Sequence, residues 1–542
     1  MADLKYTIDE FNRQQEEAIV EREAQKLNLP YVNLEKYPIS PDVINLYPPE
    51  DLNKFHFLPY LKMGKIIKVA AVEPDNQIFS EYIKKPIGSN KIELAMISES
   101  SFKSALETYH QIRLSTETKK VEKRDYLDEI TGISSVAELA KQTSTTELLD
   151  LIVAGAFKSE ASDIHIEPSE TDFLVRFRVD GILQDVATLP IHPYQQLLAR
   201  VMFMSEMKMD VRDKPQDGSL TIKFVNGDHV DIRVSIMPST YGQSIVLRLL
   251  GQEKTLLSLD NFGFRPDALS TIKEAISHPH GMILTSGPTG SGKSSTMYSI
   301  LLYLRKPGVK IITLENPIEF KIDGIEQSPI HPGEGYEFAD GLRASLRQDP
   351  DVLMVGEIRD GETAEIAIQA AMTGHLLLST VHANSAPAVF VRLLEIGVRP
   401  FLLAGSINLI MAQRLVRKIC PDCRTEYQPS SEEINLLKSN LDIIKDKLGE
   451  DARAKLEAPS FTLYHGRGCS KCNNSGYKGR QVVVEYLIPG KQIEELVTKS
   501  ASIAEFEQIA LAQGMITMEQ DGLAKVLFGI TTIEEVVRVT KN

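Results

Sequence analysis

The spacing of apolar residues changes character near residue 255 of this 542-residue chain. Upstream, residues 1–112 mix helical and strand-like patterns into an α/β domain. Phe11 to Leu27 has helical spacing, and Lys68-Val69-Ala70-Ala71-Val72 reads as a short strand. Residues 113–140 include Ser115 to Arg124, a charged stretch almost without apolar positions, and are expected to form a linker. A second domain, 141–254, opens at Ser144-x-x-Glu147, a capping-box pattern ahead of the apolar run Leu148 to Ile152. Phe173 to Val179 then alternates as a half-buried strand, and Asp180-Gly181 is a hairpin turn. Asp231 to Ser235 and Ile245 to Leu249 read as a further strand pair. From 255 to 542, short and wholly apolar strands alternate with helices, which predicts a parallel sheet wound with helices.

One junction in that region carries chemistry. Met282-Ile283-Leu284-Thr285 is a strand and Ser295 to Leu304 a helix, and between them lies Gly287-Pro288-Thr289-Gly290-Ser291-Gly292-Lys293-Ser294. Strand, G-x-x-x-x-G-K-[ST] and helix together make a phosphate-binding P-loop. Its glycines let backbone N–H groups turn onto an anion, and the helix N-terminus adds partial positive charge. Lys293 is suited to the β/γ-phosphates and Ser294 to Mg²⁺, with Ser295 beside them. The expected ligand is ATP.

Three further apolar strands follow. Ile311 to Leu314 ends in Glu315-Asn316-Pro317-Ile318-Glu319, Val352 to Val355 ends in Gly356-Glu357-Ile358-Arg359-Asp360, and Leu376 to Val381 lies between His375 and His382. Ligands in wound sheets bind at the carboxyl ends of the strands, so Glu315, Glu319, Glu357 and His382 are expected near the triphosphate. Glu357 is the choice for orienting the attacking water. Many P-loop enzymes carry an aspartate just before this glutamate, where this chain has Gly356, so the Glu315/Glu319 pair is the expected source of negative charge around the metal. The plainer readings are a solvated turn for the pair and a hydrogen-bonded strand-end residue for His382.

All four cysteines sit in two C-x-x-C pairs, Cys420/Cys423 and Cys469/Cys472. Two such pairs read as one four-thiolate zinc site at the base of a helical arm spanning 414–480, ahead of a helical region at 490–542. A redox pair is the alternative, weakened because neither pair opens a helix in a βαβ pattern. The balance of 60 basic against 74 acidic residues, a net charge of −14, argues against a general nucleic-acid coat. The first twenty residues have no basic segment and no apolar core, so no signal peptide is expected. No uncharged apolar run reaches the ~18 residues of a membrane span. A cytoplasmic protein is expected, peripheral to a membrane through partners.

The P-loop, Thr313 to Glu319, Leu346-Arg347-Gln348-Asp349-Pro350-Asp351, Gly356 to Asp360 and Thr373-Gly374-His375 through His382 resemble the secretion ATPase superfamily. The resemblance runs from Ala161-Ser162-Asp163-Ile164-His165-Ile166-Glu167-Pro168 and Pro215-Gln216-Asp217-Gly218 to Gly514-Met515 and Arg538-Val539-Thr540. The tetracysteine arm and the long N-terminal region point to its pilus-extension and type II secretion branch. The resemblance implies a RecA-like P-loop ATPase core bearing a zinc-bound helical arm and preceded by two smaller α/β domains. It implies a homo-hexamer that powers type IV pilus or pseudopilus assembly on an inner-membrane platform protein with cytoplasmic assembly factors. Glu315 and Glu319 fall in the family's aspartate box, Glu357 in its hydrolysis motif, and His375 and His382 in its histidine box. Arg233 and Arg248 match arginines that reach the γ-phosphate. Asn316, Gln243 and Val482 depart from the family pattern, which usually has aspartate, glutamate and glycine there. The N-terminal region lacks the apolar repeats with which some relatives bind a cyclic dinucleotide, so that ligand is not expected. A nucleic-acid translocase on the same core is the alternative function, disfavoured by the acidic balance.

Overall fold

The computed structural model describes residues 15–541 except 35–38, 40–42, 45, 64–65, 84–90, 118–125, 146, 251–257 and 459–460. The chain divides into two compact units, Met1–Arg178 with Leu183–Leu249, and Leu250–Asn542 with the four residues Val179–Ile182.

The first unit contains two sheets. Strands β1 (Phe57–Met63), β2 (Ile66–Ala71) and β3 (Lys91–Met96) form the first, β1 antiparallel and β3 parallel to β2. Residues 15–26 are helical as their spacing predicts; residues 11–14 of the expected helix lie outside the described residues. The second sheet has six strands: β4 (Ala161–Pro168), β5 (Asp172–Val179), β6 (Ile182–Pro190), β7 (Gln216–Lys223), β8 (His229–Ser239) and β9 (Gly242–Leu250), in the order β6-β5-β4-β9-β8-β7. The alternation in β5 is real: Phe173, Val175 and Phe177 are fully buried and the residues between them are not. Asp180 and Gly181 both have positive φ, 49° and 83°, the two-residue turn whose twist matches a hairpin.

Two expectations need correction here. Part of the proposed linker is structured. Residues 118–125 lie outside the described residues, but Tyr126–Glu129 and Ile133–Ala140 are helices with Ile133, Val136 and Ala140 buried. The spacing of these three apolar residues is helical, and the charged stretch before them masks it. Nor does Ser144 cap a helix. The helix begins at Leu148 with Glu147 before it and no side-chain cap, while the Ser144 hydroxyl donates to the Glu147 carboxylate at 2.9 Å within a preceding turn. The pattern is right, but the local bond is satisfied side chain to side chain.

The second unit is a seven-stranded sheet, built from β10 (Gly281–Ser286), β11 (Ile311–Glu315), β12 (Glu326–Pro329), β13 (Val352–Val355), β14 (Leu376–Val381), β15 (Ile407–Ile419) and β18 (Tyr477–Leu487). Their order is β12-β11-β13-β14-β10-β15-β18, all neighbours parallel except the β15/β18 pair. Every residue of β10, β11, β13 and β14 is buried, because helices cover both faces. Strands β16 (Arg424–Tyr427) and β17 (Leu463–Gly466) pair in the arm. The arm does not stand apart from the C-terminal helices. Leu437, Leu441 and Leu456 share one core with Ile516, Leu523, Leu527 and Val536.

A buried ion cluster ties this end together. Asp521, with no exposure, lies 2.8 Å from Arg265 and 2.7 Å from Lys525, and accepts from the Val484 backbone N–H at 2.7 Å. Paired in this way, the charges meet their desolvation cost in place. Among the described residues, no helix is long and apolar enough to cross a membrane.

Candidate functional site

The site lies at the carboxyl end of β10. Gly287, Gly290 and Gly292 take φ of 142°, 79° and 88°, which a side chain resists. A Cβ on Gly287 would lie 2.6 Å from the Gln413 carbonyl and 2.6 Å from Ser291 Oγ, so this backbone passes through a gap only glycine fits. The helix Lys293–Leu304 begins directly after Gly292. Pro288, Thr289, Gly290 and Ser294 are exposed, and Gly292, Lys293 and Ser295 are half-buried. Lys293 Nζ donates to the Gly287 and Pro288 carbonyls at 2.7 and 3.0 Å. Burial draws its pKa down, and Glu357 opposes that shift. Among the described residues, the buried hydroxyls of Ser286 and Ser291 have no hydrogen-bond partner. Oriented N–H groups, a lysine and two unsatisfied hydroxyls make a cradle suited to phosphate oxygens.

Glu357 follows β13 and is mostly buried. Its two oxygens lie 2.5 Å from Arg359 Nη2 and 3.3 Å from His382 Nε2. The preceding Gly356 has a packing reason: a Cβ there would meet the Leu314 carbonyl at 3.2 Å and Phe338 at 3.7 Å. Asp360 is a helix cap, accepting from the Thr363 N–H at 2.8 Å. His375 lies at the opposite end of β14 from His382, with Nδ1 3.0 Å from the Ala370 carbonyl.

Glu315 does not join this group. Its carboxylate is 4% exposed and accepts from Tyr298 Oη, from Thr313 Oγ1 at 2.5 Å and from Gln327 Nε2 at 3.1 Å. Among the described residues it has no bond to Lys293, Ser294 or Glu357. Burial first, and then the Glu315 charge, push the Tyr298 pKa upward, so the phenol stays a donor. The same Tyr298 oxygen accepts from the Glu319 N–H at 3.2 Å, while Asn316 is exposed at the turn. Tyr298 belongs to the P-loop helix, so this network fastens that helix to the end of β11. Nothing in the spacing of Tyr298 announces that role.

In the first unit, Arg233 on β8 and Arg248 on β9 occupy adjacent strands, their neighbours Ile232, Val234, Leu247 and Leu249 turned inward. Arg248 Nε donates to Asp163 at 2.8 Å, and Arg178 Nε lies 3.4 Å from the other Asp163 oxygen. Asp163 is buried and organises the pair, a role the sequence motif around it did not disclose. Gln243 is buried, its backbone carbonyl accepting from Tyr194 Oη.

The four cysteines do converge. Sγ–Sγ distances are 3.9 Å for Cys420/Cys469, 3.8 Å for Cys423/Cys472 and 3.6 Å for Cys469/Cys472, and all four atoms lie within 4.8 Å of one another. Four thiolates about 2.3 Å from a tetrahedral ion stand about 3.8 Å apart, so this spacing fits a metal and is far from the ~2.0 Å of a disulfide. Burial pushes the Cys423 thiol up to about 12; burial also raises Cys472, but hydrogen bonds from the Cys469 and Gly476 N–H groups and from the Cys469 and Cys423 thiols outweigh it and draw Cys472 to about 7.

A wound, mostly parallel sheet with a P-loop after the interior strand β10, and a carboxylate after the strand two places away, defines a P-loop nucleotide hydrolase. Residues 138–538 match the family described as type II/IV secretion system protein, and residues 27–116 match the MshEN domain. The chain belongs to the type II/IV secretion system protein family. It is 38% identical over 529 residues to the type IV pilus assembly ATPase PilB of Myxococcus xanthus, covering 95% of this chain and 89% of that protein. It is 39% identical over 467 residues to the type II secretion system ATPase E of Vibrio cholerae, covering 84% and 89%. The structure of the ATPase DotB from Legionella pneumophila aligns over 72% of this chain and 95% of that one, with a TM-score of 0.52 and 22% identity, which shows a shared fold.

Proposed function

We propose that this chain is an ATPase motor, hexameric when active, that powers assembly of type IV pili or of a type II secretion pseudopilus. The observation that carries the reading is the pairing of a complete P-loop with Glu357, in a chain that aligns over nearly its whole length with a pilus assembly ATPase. In this reading Lys293 and the loop N–H groups hold the triphosphate, and Ser294 offers its hydroxyl to Mg²⁺, which neutralises phosphate charge when bound. Glu357, steadied by Arg359 and His382, orients the water that attacks the γ-phosphorus. Glu319 supplies outer negative charge, and Glu315 holds the P-loop helix in register. Arg233 and Arg248 add positive charge in the transition state. The four thiolates hold one Zn²⁺ that closes the base of the arm. The motor acts at the cytoplasmic face of an inner membrane, on a platform protein and assembly factors.

The test is ATP turnover by the purified protein against concentration. Activity per chain is expected to rise as rings form. Arg233→Ala and Arg248→Ala are each expected to lower it about 10-fold or more, the scale of a lost transition-state charge. A fully active, concentration-independent monomer indifferent to both changes refutes the motor. Turnover stimulated by DNA would favour a nucleic-acid translocase instead.

A further inference from the structure

Among the described residues, a buried cation borders the glycine loop without a carboxylate partner. In β15, Ala412 pairs with Ser286, the last residue of β10, so Gln413 and Arg414 lie beside the start of the P-loop. Gln413 is fully buried and stitches strand to loop. Its Nε2 donates to the Ser291 carbonyl at 3.1 Å, and its Oε1 accepts from the Thr296 hydroxyl at 3.1 Å. Arg414 is 9% exposed. Its guanidinium donates to two backbone carbonyls, those of Gln413 and Asn384, each at 3.1 Å.

Among the described residues Arg414 forms no ion pair. The acidic group that acts on it is Glu485, whose own carboxylate accepts from the Ala386 and Met518 N–H groups at 2.7 and 3.2 Å and is pushed by burial toward its neutral form. The other cation near the loop is Lys293, on which the Glu357 carboxylate acts without forming an ion pair among the described residues. A buried and a half-buried cation side by side, neither ion-paired among the described residues, make an electropositive cradle. It is also close-fitting: Arg414 Nη1 lies 3.2 Å from where a Cβ on Gly287 would stand, next to the unpartnered hydroxyl of Ser291.

We propose that Arg414 is a second cationic ligand for the phosphate chain of the nucleotide, donated by the same subunit from β15, and that it exchanges the Asn384 carbonyl for phosphate oxygens. The inference rests on the ATPase reading and deepens it. A guanidinium can grip phosphate through two parallel N–H bonds where a lysine offers a point charge. The exchange also has a mechanical consequence. Asn384 is two residues from His382, which touches Glu357. Arg414 thereby links the charge of the bound nucleotide to the loop that steadies the water-orienting carboxylate.

The experiment compares wild type, Arg414→Gln, Arg414→Met and Lys293→Ala. It measures equilibrium binding of a fluorescent non-hydrolysable ATP analogue and of AMP with the same label, together with thermal unfolding with and without the analogue. Arg414→Gln and Arg414→Met are expected to weaken the ATP analogue about 10-fold or more and to change AMP less than threefold. Without nucleotide both variants should melt at or above the wild-type temperature, because an uncompensated buried charge is gone, and the rise given by the analogue should shrink. ATP-analogue affinity within about threefold of wild type overturns the inference. So does weaker binding accompanied, in both variants, by a lower melting temperature without nucleotide, since Arg414 is then a structural strut. A wild-type protein that binds no ATP analogue removes the ATPase reading itself, an outcome distinct from tight wild-type binding that Arg414→Gln leaves intact.

Discussion

Arg359 Nη2 lies 2.5 Å from one oxygen of Glu357. The pair joins residues two apart in one loop, and the other Glu357 oxygen faces His382. The carboxylate is thus held in place at a strand end by two groups, and its charge acts on Lys293 of the P-loop. Replacing Glu357 by Gln removes the charge and keeps the shape. Nucleotide binding is expected to persist while turnover falls by two orders of magnitude or more. Turnover within threefold of wild type would reject the assignment.

Glu315 and Tyr298 give the opposite expectation. The carboxylate is enclosed and fully hydrogen-bonded, so its loss is felt as stability. Tyr298→Phe leaves a buried carboxylate one donor short and should cost about 1–3 kcal/mol in denaturant unfolding. Turnover of the protein that remains folded should stay within a few-fold. Unchanged stability with a collapsed rate would return Glu315 to the catalytic group.

The cysteine spacing predicts one Zn²⁺ per chain in purified protein. Acid or a strong chelator should release it and loosen the arm, because thiolates are the ligands. Elemental analysis giving well under half an equivalent, with all four thiols freely titratable, contradicts the site.

Glu535 sets a pH limit for the C-terminal end. Burial raises its pKa, but the guanidinia of Arg538 and Arg417, with the Arg417 N–H, outweigh that and hold it at about 2. A carboxylate depressed from about 4.5 contributes its stability fully above pH 4.5 and loses it as pH falls toward 2. The contribution is about 3 kcal/mol. Acid titration of unfolding free energy should therefore fall more steeply between pH 4.5 and 2 in wild type than in Glu535→Gln. Parallel curves would show that the pair adds nothing.

Much of this site was legible in the chain because its chemistry is local. A P-loop is eight consecutive residues between a strand and a helix, and Glu315 and Glu357 each fall within two residues of the end of an apolar run. The hairpin at Asp180-Gly181 is equally local, set by two residues that accept positive φ. Two C-x-x-C pairs name their own partners, because no other thiols exist in the chain.

Other features depend on which strands become neighbours, and no spacing encodes that. Glu315 and Glu319 are four residues apart and look equivalent in sequence, yet Tyr298 and Gln327 enclose the first. Asp163 meets Arg248 only because β4 pairs with β9. Gln413 and Arg414 reach the glycine loop because β15 lies against β10. Their one trace in sequence is a polar pair set between the apolar residues Leu409 to Ala412 and Leu415-Val416. Sequence determined the backbone cradle and the candidate acids, through turn geometry and hydrophobic periodicity. Strand order and helix packing decided which charges are buried, which are paired and which remain to meet an anion, because desolvation and ion pairing act between residues far apart in the chain.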